Sequence, residues 1–549
     1  MHCLNRALIW GILVAIGAGT AVAQNPGCPT RPAAGTVVNN PLDLFSANGQ
    51  LQVDFTMQSQ LAAYLEECFI YQASGGAVES PTLRLNPGDQ LVLNLTNRLS
   101  YLPGPPIASA LTPMNHAGMA AMPGKAATPA MASMLPRTTA NDPCTGGTMV
   151  ATSTNIHFHG LKIPPICHGD EVIFTNIENT DPAFQYSIQI PSNDAPGMYW
   201  YHPHLHGFAT LQVNGGATGV IIINGTEKVK PEVAGLPERI FVVRQEFTNP
   251  NSWIAGPFQL TLNYVPAAYP NTPSPIVQMQ PGVKEFWRVA NTTSQAFLAL
   301  RFVIGKTPQN MELIALDGIP VTTEINVKTI NLPPAGRAEF IVSAPAAGQT
   351  AVFQDAGFNT GAIGNANNPQ VLADIQVTSS AKEPPRMPAS SPPPAVLLRF
   401  AGLAGLTPTT SRSLYFAEAT NGSNGPTQFF MTVDGQRPKT FSMSGPPAIT
   451  TTVGAVEDWT IENRTGETHA FHIHQIHFLL LSTSGVTNPD PQLQDTVIVP
   501  AWSGTGAFPN IKLRLDFRDP EIAGTFVFHC HVLDHEDAGM MAKIQVNPK

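Results

Sequence analysis

The residues of this chain with the clearest chemistry lie close to its C-terminus, in the segment HCHVLDHEDAGMM. A thiolate, two imidazoles and a weak axial thioether form the ligand set of a blue-copper electron-transfer site. Here Cys530, His535 and Met540 supply three of these ligands, so one histidine must come from elsewhere in the chain. Because side chains alternate between the two faces of a strand, His529 and His531 point away from Cys530. They are therefore free to bind a second metal centre.

Three further clusters supply histidines at the same spacing. In an extended H-x-H pair both imidazoles lie on one face, where they can bind one or two metal ions side by side. Ten of the fifteen histidines occupy candidate ligand positions in these clusters and the C-terminal segment. A lone histidine is most often an ordinary surface or core residue, but four clusters at ligand spacing predict metal binding. The clusters read NIHFHG, YWYHPHLHG and HAFHIHQIHF, and they contain His157, His159, His202, His204, His469, His472 and His474.

With these four motifs the chain resembles the multicopper oxidase family, and the resemblance covers nearly all of the chain after its N-terminus. That family couples four one-electron oxidations of a substrate to the reduction of O2 to water. The resemblance implies four copper ions with the following ligands. The type 1 copper would be bound by His469, Cys530 and His535, with Met540 axial. The type 2 copper would be bound by His157 and His472, and the binuclear type 3 pair by His159, His202, His204, His474, His529 and His531.

Length and composition predict an all-β chain of several domains. A chain of 549 residues corresponds to roughly three or four domains of ordinary size. Charged residues make up only 12%, Pro and Gly number 52 and 45, and short runs of Val, Ile, Thr and Phe end in turn residues, which is typical of antiparallel sandwiches. The net charge of −9 argues against a nucleic-acid partner. The resemblance makes the expected fold three cupredoxin-like Greek-key β-sandwich domains.

A weak internal repeat suggests where these domains lie. The pattern of strand, turn and strand occurs in PTLRLNPGDQLVLNLTN, VQMQPGVKEFWRVAN and ITTTVGAVEDWTIENRTG. We predict a first domain over 40–227, a second over 228–377, a stiff Pro-rich linker over 378–395 and a third domain over 396–549. The histidine clusters belong to the first and third domains. The type 2 and type 3 centre should therefore lie at the interface of these two domains and hold them together.

The N-terminus predicts export. A basic residue, a short apolar run and small residues ending at Ala23 form the pattern of a signal peptide over residues 1–23. We found no other segment long and apolar enough to span a bilayer. The mature protein is expected to be periplasmic or secreted, without a membrane span after signal cleavage.

Cysteine usage agrees with an oxidising compartment. Once Cys530 is assigned to copper and Cys3 to the signal peptide, an even set remains, which is compatible with two disulfides. Three pairings are open. We favour Cys144 with Cys167, because that disulfide would brace the segment that carries His157 and His159. The four cysteines of the set are Cys28, Cys68, Cys144 and Cys167.

Reduction of O2 consumes protons, so carboxylates near the copper centre are candidate catalytic residues. Glu536 directly follows His535, and it matches an acidic position that variants of the family use for proton delivery. Asp170, eleven residues after His159, is the second candidate. His477 lies inside a histidine motif but off the ligand positions, and we interpret it as a group that supports the ligands or lines the substrate pocket.

Three functions are compatible with the sequence. The leading one is a laccase-like oxidase that accepts electrons from phenols or aromatic amines. The second is a cuprous oxidase that oxidises Cu(I) in copper tolerance, since the segment 111–135 is rich in methionine and thioethers select Cu(I). The third, of another class, is a copper-binding or scaffold protein on a cupredoxin frame. The partners expected for the enzyme are O2 and a small reducing substrate or Cu(I).

Overall fold

The structure, a computed structural model, describes residues 27–61, 65–100, 142–248, 258–267, 272–365, 367–389, 399–420 and 427–549. Strands dominate these ranges, which contain only short helices. The all-β prediction is therefore confirmed. The predicted signal peptide (1–23), the methionine-rich insert (111–135) and the last part of the predicted linker (390–395) lie outside the described residues.

The first unit contains two five-stranded sheets, ordered β1-β5-β10-β9-β7 and β4-β3-β2-β6-β8. Along β6, Leu91, Leu93 and Leu95 are buried and alternate with partly exposed residues, the period of a strand that covers a core with one face. The strands are β1 (Asp43–Phe45), β2 (Gln50–Leu61), β3 (Leu65–Ala73), β4 (Gly76–Glu79), β5 (Thr82–Leu85), β6 (Gln90–Arg98), β7 (His157–His159), β8 (Phe184–Gln189), β9 (Gly197–His202) and β10 (Gly219–Ile223).

The middle unit also contains two sheets, ordered β13-β12-β11-β15-β21-β18-β19 and β14-β23-β22-β16-β17, with β20 beside β16. Trp287, Phe302 and Phe340 lie in the core between them. The strands are β11 (Glu238–Phe247), β12 (Phe258–Leu262), β13 (Val265–Pro266), β14 (Ile276–Met279), β15 (Lys284–Asn291), β16 (Leu298–Ile304), β17 (Thr307–Pro308), β18 (Met311–Leu316), β19 (Ile319–Val327), β20 (Ile330–Leu332), β21 (Arg337–Ser343), β22 (Ala351–Asp355) and β23 (Gln370–Val377).

The third unit repeats this arrangement with sheets ordered β25-β24-β27-β33-β29-β30, with β31 beside β29, and β26-β35-β34-β28-β32. Its core contains Trp459, Phe471 and Phe528. The strands are β24 (Thr410–Thr420), β25 (Thr427–Val433), β26 (Ile449–Thr452), β27 (Ala455–Asn463), β28 (His469–Ile473), β29 (Phe478–Thr483), β30 (Val486–Thr487), β31 (Leu493–Gln494), β32 (Thr496–Val499), β33 (Asn510–Phe517), β34 (Gly524–Cys530) and β35 (Met541–Asn547). Among the described residues, each sheet takes its strands from one of the three predicted domain ranges, whose boundaries stay a prediction.

The helices are α1 (Ala209–Asn214), α2 (Thr226–Val229) and α3 (Leu533–Asp537). Phe208, which directly precedes α1, does not cap the helix with its side chain. Instead, Asp537 of the third unit accepts hydrogen bonds from the backbone N–H groups of Gly207, Ala209 and Thr210, at 2.9–3.2 Å. A carboxylate at a helix N-terminus satisfies orphan amide donors and interacts favourably with the helix dipole. The first and third units are therefore joined at α1.

Two disulfides brace the first unit. Cys144 is bonded to Cys167, which confirms the pairing favoured from the sequence, and Cys28 is bonded to Cys68. Cys530 is the free cysteine of the described residues, and it is buried. No helix in the described ranges has the length and apolar character needed to cross a membrane.

Candidate metal centres

Four short chain segments bring the predicted histidines together. In the first unit β7 pairs with β9, so that His157 lies opposite His202. In the third unit β28 pairs with β34, so that His472 lies opposite His529. The two units then meet face to face, because the ring of His159 stacks on that of His472 with centroids 3.9 Å apart. The H-x-H spacing places two histidines of a segment on the same face, as the period of a strand predicts. The packing of the first unit against the third then completes the cluster.

The ligand atoms of these residues converge in small groups, within 4.8 Å of one another in each group. The three ring nitrogens of His204, His474 and His529 lie 3.2–3.3 Å apart, as they would around a common ion. We call the eight histidines outside the cysteine's group the eight-histidine centre. Its groups are His157, His159 and His472; His159, His202 and His531; and His204, His474 and His529.

The fourth group, which we call the thiolate site, consists of His469, Cys530 and His535. The sulfur of Cys530 lies 3.5 Å from Nδ1 of His469 and 3.9 Å from Nδ1 of His535, and these two nitrogens are 3.3 Å apart. Met540 is buried beside them. Its backbone carbonyl accepts a hydrogen bond from the Cys530 amide, and its own amide donates to the His535 carbonyl.

The chemistry of the donors fits copper. Within the described residues, Nε2 of His157, His202 and His472 and Nδ1 of His159 are buried without a hydrogen-bond partner, which is costly unless a metal ion binds them. Burial also lowers the pKa of these imidazoles, keeping them in the neutral form that a metal ion requires. Burial raises the pKa of the Cys530 thiol. A bound cation is thus needed to form the thiolate, and a thiolate with imidazoles is a typical copper ligand set.

Two carboxylates predicted from the sequence contact the eight-histidine centre. Glu536 lies 3.0 Å from Nδ1 of His529 and 3.5 Å from Nδ1 of His204. Burial alone would raise the pKa of Glu536, but these imidazoles lower it to about 2. Asp170 accepts a hydrogen bond from Nδ1 of His157 at 2.9 Å, and burial raises its pKa. Both carboxylates are buried and contact different histidines of the same centre, and their catalytic role stays a prediction.

Two carboxylates that the sequence did not reveal contact the thiolate site. Glu467 lies 3.2 Å from Nε2 of His535, and Glu418 lies 3.6 Å from Nε2 of His469. Burial and the neighbouring Glu418 raise the pKa of Glu467. Burial would also raise the pKa of Glu418, but the neighbouring His469 and Glu467 lower it to about 2. The pair therefore carries one negative charge at the outer edge of the thiolate site. Glu467 precedes His469 by two residues, a spacing that could have indicated it, whereas Glu418 comes from the distant strand β24.

A further carboxylate that the sequence did not reveal is Asp495, which lies just before β32. Its Oδ1 is 3.1 Å from Nε2 of His159, and its backbone carbonyl is 2.8 Å from Nδ1 of His472. Neither a motif nor its spacing to a histidine marks this residue. Only the pairing of β28 with β32 brings it to the eight-histidine centre.

Comparison with protein families agrees with this geometry. Three models described as multicopper oxidase match residues 148–228, 196–380 and 411–549, which together cover most of the chain. The chain is 24% identical over 414 residues to the multicopper oxidase mco of Staphylococcus haemolyticus, covering 72% of this chain and 77% of that protein. It is 23% identical over 434 residues to a laccase of Bacillus subtilis, covering 72% and 79%.

Solved structures share the fold. The multicopper oxidase McoA of Aquifex aeolicus superposes with a TM-score of 0.64 at 18% identity, covering 93% of this chain and 99% of that one. A multicopper oxidase of Campylobacter jejuni, described as a metallo-oxidase, gives a TM-score of 0.64 at 20% identity, covering 94% and 96%. The chain belongs to the multicopper oxidase family, with cupredoxin-fold units. It is an oxidoreductase, and its family implies bound copper, O2 and a reducing substrate.

Proposed function

We propose that this chain is an exported, laccase-like oxidase that takes electrons from phenols or aromatic amines and reduces O2 to water with four copper ions. In this proposal the thiolate site binds the type 1 copper, with Met540 as axial ligand. His157 and His472 bind the type 2 copper. The type 3 pair is bound by His159, His202, His204, His474, His529 and His531.

The observation that carries the proposal is the tripeptide His529, Cys530 and His531. Its cysteine belongs to the thiolate site, and its two histidines belong to two different groups of the eight-histidine centre. Alternation at the end of β34 places Cys530 on the opposite face from His529, and His531 directly follows the strand. The two sites are thus joined by single peptide units, which is the short connection that electron transfer from one site to the other requires.

Copper would supply one-electron chemistry here, with the thiolate-bound ion accepting electrons from the donor and the histidine-bound ions delivering four of them to O2. The protein contributes orientation, exclusion of water and protons. All eight histidines of the second centre are buried. The carboxylate of Glu536 lies 3.0 Å from Nδ1 of His529, where it can relay a proton, and Asp170 accepts the N–H of His157.

The test is oxygen uptake by the mature, copper-loaded protein, with a phenolic donor and Cu(I) measured in parallel. Metal analysis should give four coppers per chain, and uptake should be faster with the phenol than with Cu(I) and absent from the copper-free protein. Four bound coppers without uptake from either donor would contradict an oxidase and favour a copper-binding or scaffold role. Export is tested separately by the N-terminal sequence of the mature protein, expected to begin at Gln24.

A cuprous oxidase is the second candidate function, and the carboxylates of the thiolate site favour it. Glu418 and Glu467 place a negative charge beside the outer nitrogens of His469 and His535. A cation is attracted to such a site, and a neutral phenol is not. Faster oxygen uptake with Cu(I) than with the phenol would make this the main activity.

A further inference from the structure

Arg337, at the start of β21 in the middle unit, is completely buried and uses all five of its N–H donors. Its two terminal nitrogens bind the two carboxylate oxygens of Asp495, at 2.7 and 2.6 Å. Its remaining donors bind the backbone carbonyls of Ala335, Asp317 and Met198. A guanidinium has no further donors, so its plane is held in one orientation. The carboxylate of Asp495 is therefore fixed from the middle unit.

Asp317, in the turn between β18 and β19 of the same unit, fixes the backbone next to that carboxylate. Its Oδ2 accepts hydrogen bonds from the amides of Asp495 and Thr496, at 3.1 and 3.2 Å, and its Oδ1 accepts one from the amide of Arg337. The side chain of Asp495 and the backbone amides of Asp495 and Thr496 are thus held by residues of the middle unit.

This dipeptide in turn contacts two histidines of the eight-histidine centre. Asp495 Oδ1 lies 3.1 Å from Nε2 of His159, and Thr496 Oγ1 lies 3.2 Å from Nδ1 of His472, whose proton is also accepted by the Asp495 carbonyl. With Nε2 of His159 protonated by this contact, its Nδ1 is left to bind a metal ion. In His472 the roles are reversed, and Nε2 is left.

We propose that Arg337 and Asp317 are positioning residues of the copper centre: through Asp495 and Thr496 they set the ring orientation and tautomer of His159 and His472. None of the residues assigned here to copper comes from the middle unit, yet that unit would determine how two ligands from the other units face the metal. Outer contacts of this kind orient metal-binding histidines and raise their basicity. The inference rests on the proposed function, since it requires copper at the eight-histidine centre.

Gly160 supports the importance of this contact. It directly follows His159, has a φ of +87°, and a Cβ there would lie 2.5 Å from Nη2 of Arg337 and 2.7 Å from Oδ2 of Asp495. A side chain at this position would separate the guanidinium from the carboxylate. The glycine of the NIHFHG motif thus leaves space for the ion pair as well as adopting a left-handed conformation.

The test compares Arg337→Lys with Arg288→Lys in the copper-loaded protein. Arg288 is an equally buried arginine of the middle unit that binds Glu238 and Glu339. Lysine keeps the charge but loses the two-pronged contact. Arg337→Lys should change the electron paramagnetic resonance signal of the type 2 copper, lower the copper content, and reduce kcat about tenfold to a hundredfold. The visible absorption of the thiolate-bound copper should stay unchanged. Arg288→Lys should leave the resonance signal and the copper content as in the wild type.

Asp317→Asn provides a second variant should Arg337→Lys fail to fold. It keeps the size of the side chain and one acceptor oxygen, so a smaller change of the same resonance signal is expected. A wild-type signal and copper content in whichever of these variants folds, or the same change in Arg288→Lys, would overturn the inference. If the wild-type protein binds copper and consumes O2, such a result overturns only the positioning role of Arg337 and Asp317. If the wild-type protein does neither, the proposed function itself fails.

Discussion

The thiolate site and the eight-histidine centre use the same residue type in opposite settings. The thiolate site takes its residues from the third unit alone, and its outermost contact, Glu418, has a side chain that is 14% exposed. The eight-histidine centre needs two units, and its supporting carboxylates, Asp170, Asp495 and Glu536, are at most 1% exposed. The difference matches the two roles that the proposed function assigns to these sites, electron uptake from a donor and reduction of O2. In the proposed function the thiolate site would be reachable by an electron donor from the side of Glu418, and the eight-histidine centre would be sealed from the donor and receive its electrons through the protein.

The variant expected to have the largest effect is Cys530→Ser, which tests whether electrons must enter at the thiolate site. A hydroxyl is a poor ligand for copper in place of a thiolate, so the visible absorption and oxygen uptake with every donor should be lost. The type 2 resonance signal should persist, because the eight histidines are unchanged. Measurable uptake in this variant would show that electrons reach the sealed centre directly. Loss of the type 2 signal as well would show that the two sites do not form independently.

Glu536→Gln should have the next largest effect, on the sealed centre only. Glutamine keeps a hydrogen bond to His529 but cannot transfer a proton, so kcat is expected to fall about a hundredfold. The visible absorption of the thiolate site should be unchanged. Glu462→Gln is the matched control, because Glu462 is a glutamate of the same unit that pairs with Arg464 on the surface. An unchanged kcat in Glu536→Gln would remove the proton-delivery role.

The sequence predicted the histidines and the cysteine better than the groups that support them. His157, His159 and their counterparts occur in short motifs, and the period of a strand is enough to predict which side chains share a face. Arg337 and Asp495 are separated by more than 150 residues and come together only when the middle and third units pack. No local pattern encodes such a contact. The all-β fold was likewise predicted from composition and repeated strands, whereas the orientation of the units depends on long-range packing.

His477 contacts Asp495 beside the eight-histidine centre, and it tests whether a buried imidazole at this position stays neutral. Burial lowers its pKa to about 4 from the usual 6.5, although Asp495 acts in the opposite direction. The His477 imidazole is therefore protonated at a higher pH in the unfolded chain than in the folded chain. The resulting stability is present above pH 6.5 and is lost as the pH falls towards 4, by about 3 kcal/mol in total.

The measurement for His477 is urea unfolding of the copper-free protein at neutral and acidic pH. His477→Gln can still donate to the Asp317 carbonyl but does not titrate, so its loss of stability on acidification should be about 3 kcal/mol smaller than that of the wild type. Equal losses in the two proteins would mean that folding does not lower the pKa of His477.

Glu418→Gln is expected to have the smallest effect, and it acts at the reachable site. It removes a charge 3.6 Å from Nε2 of His469 without changing the size of the side chain. Because the carboxylate is partly exposed, its attraction for a cation should be worth about 1 kcal/mol, which corresponds to about a fivefold rise in KM for Cu(I). KM for a neutral phenol should change much less, and the eight-histidine centre should keep its resonance signal. Equal changes for both donors would mean that Glu418 orients His469 and does not select a cation, so the cuprous candidate would lose the observation that favours it.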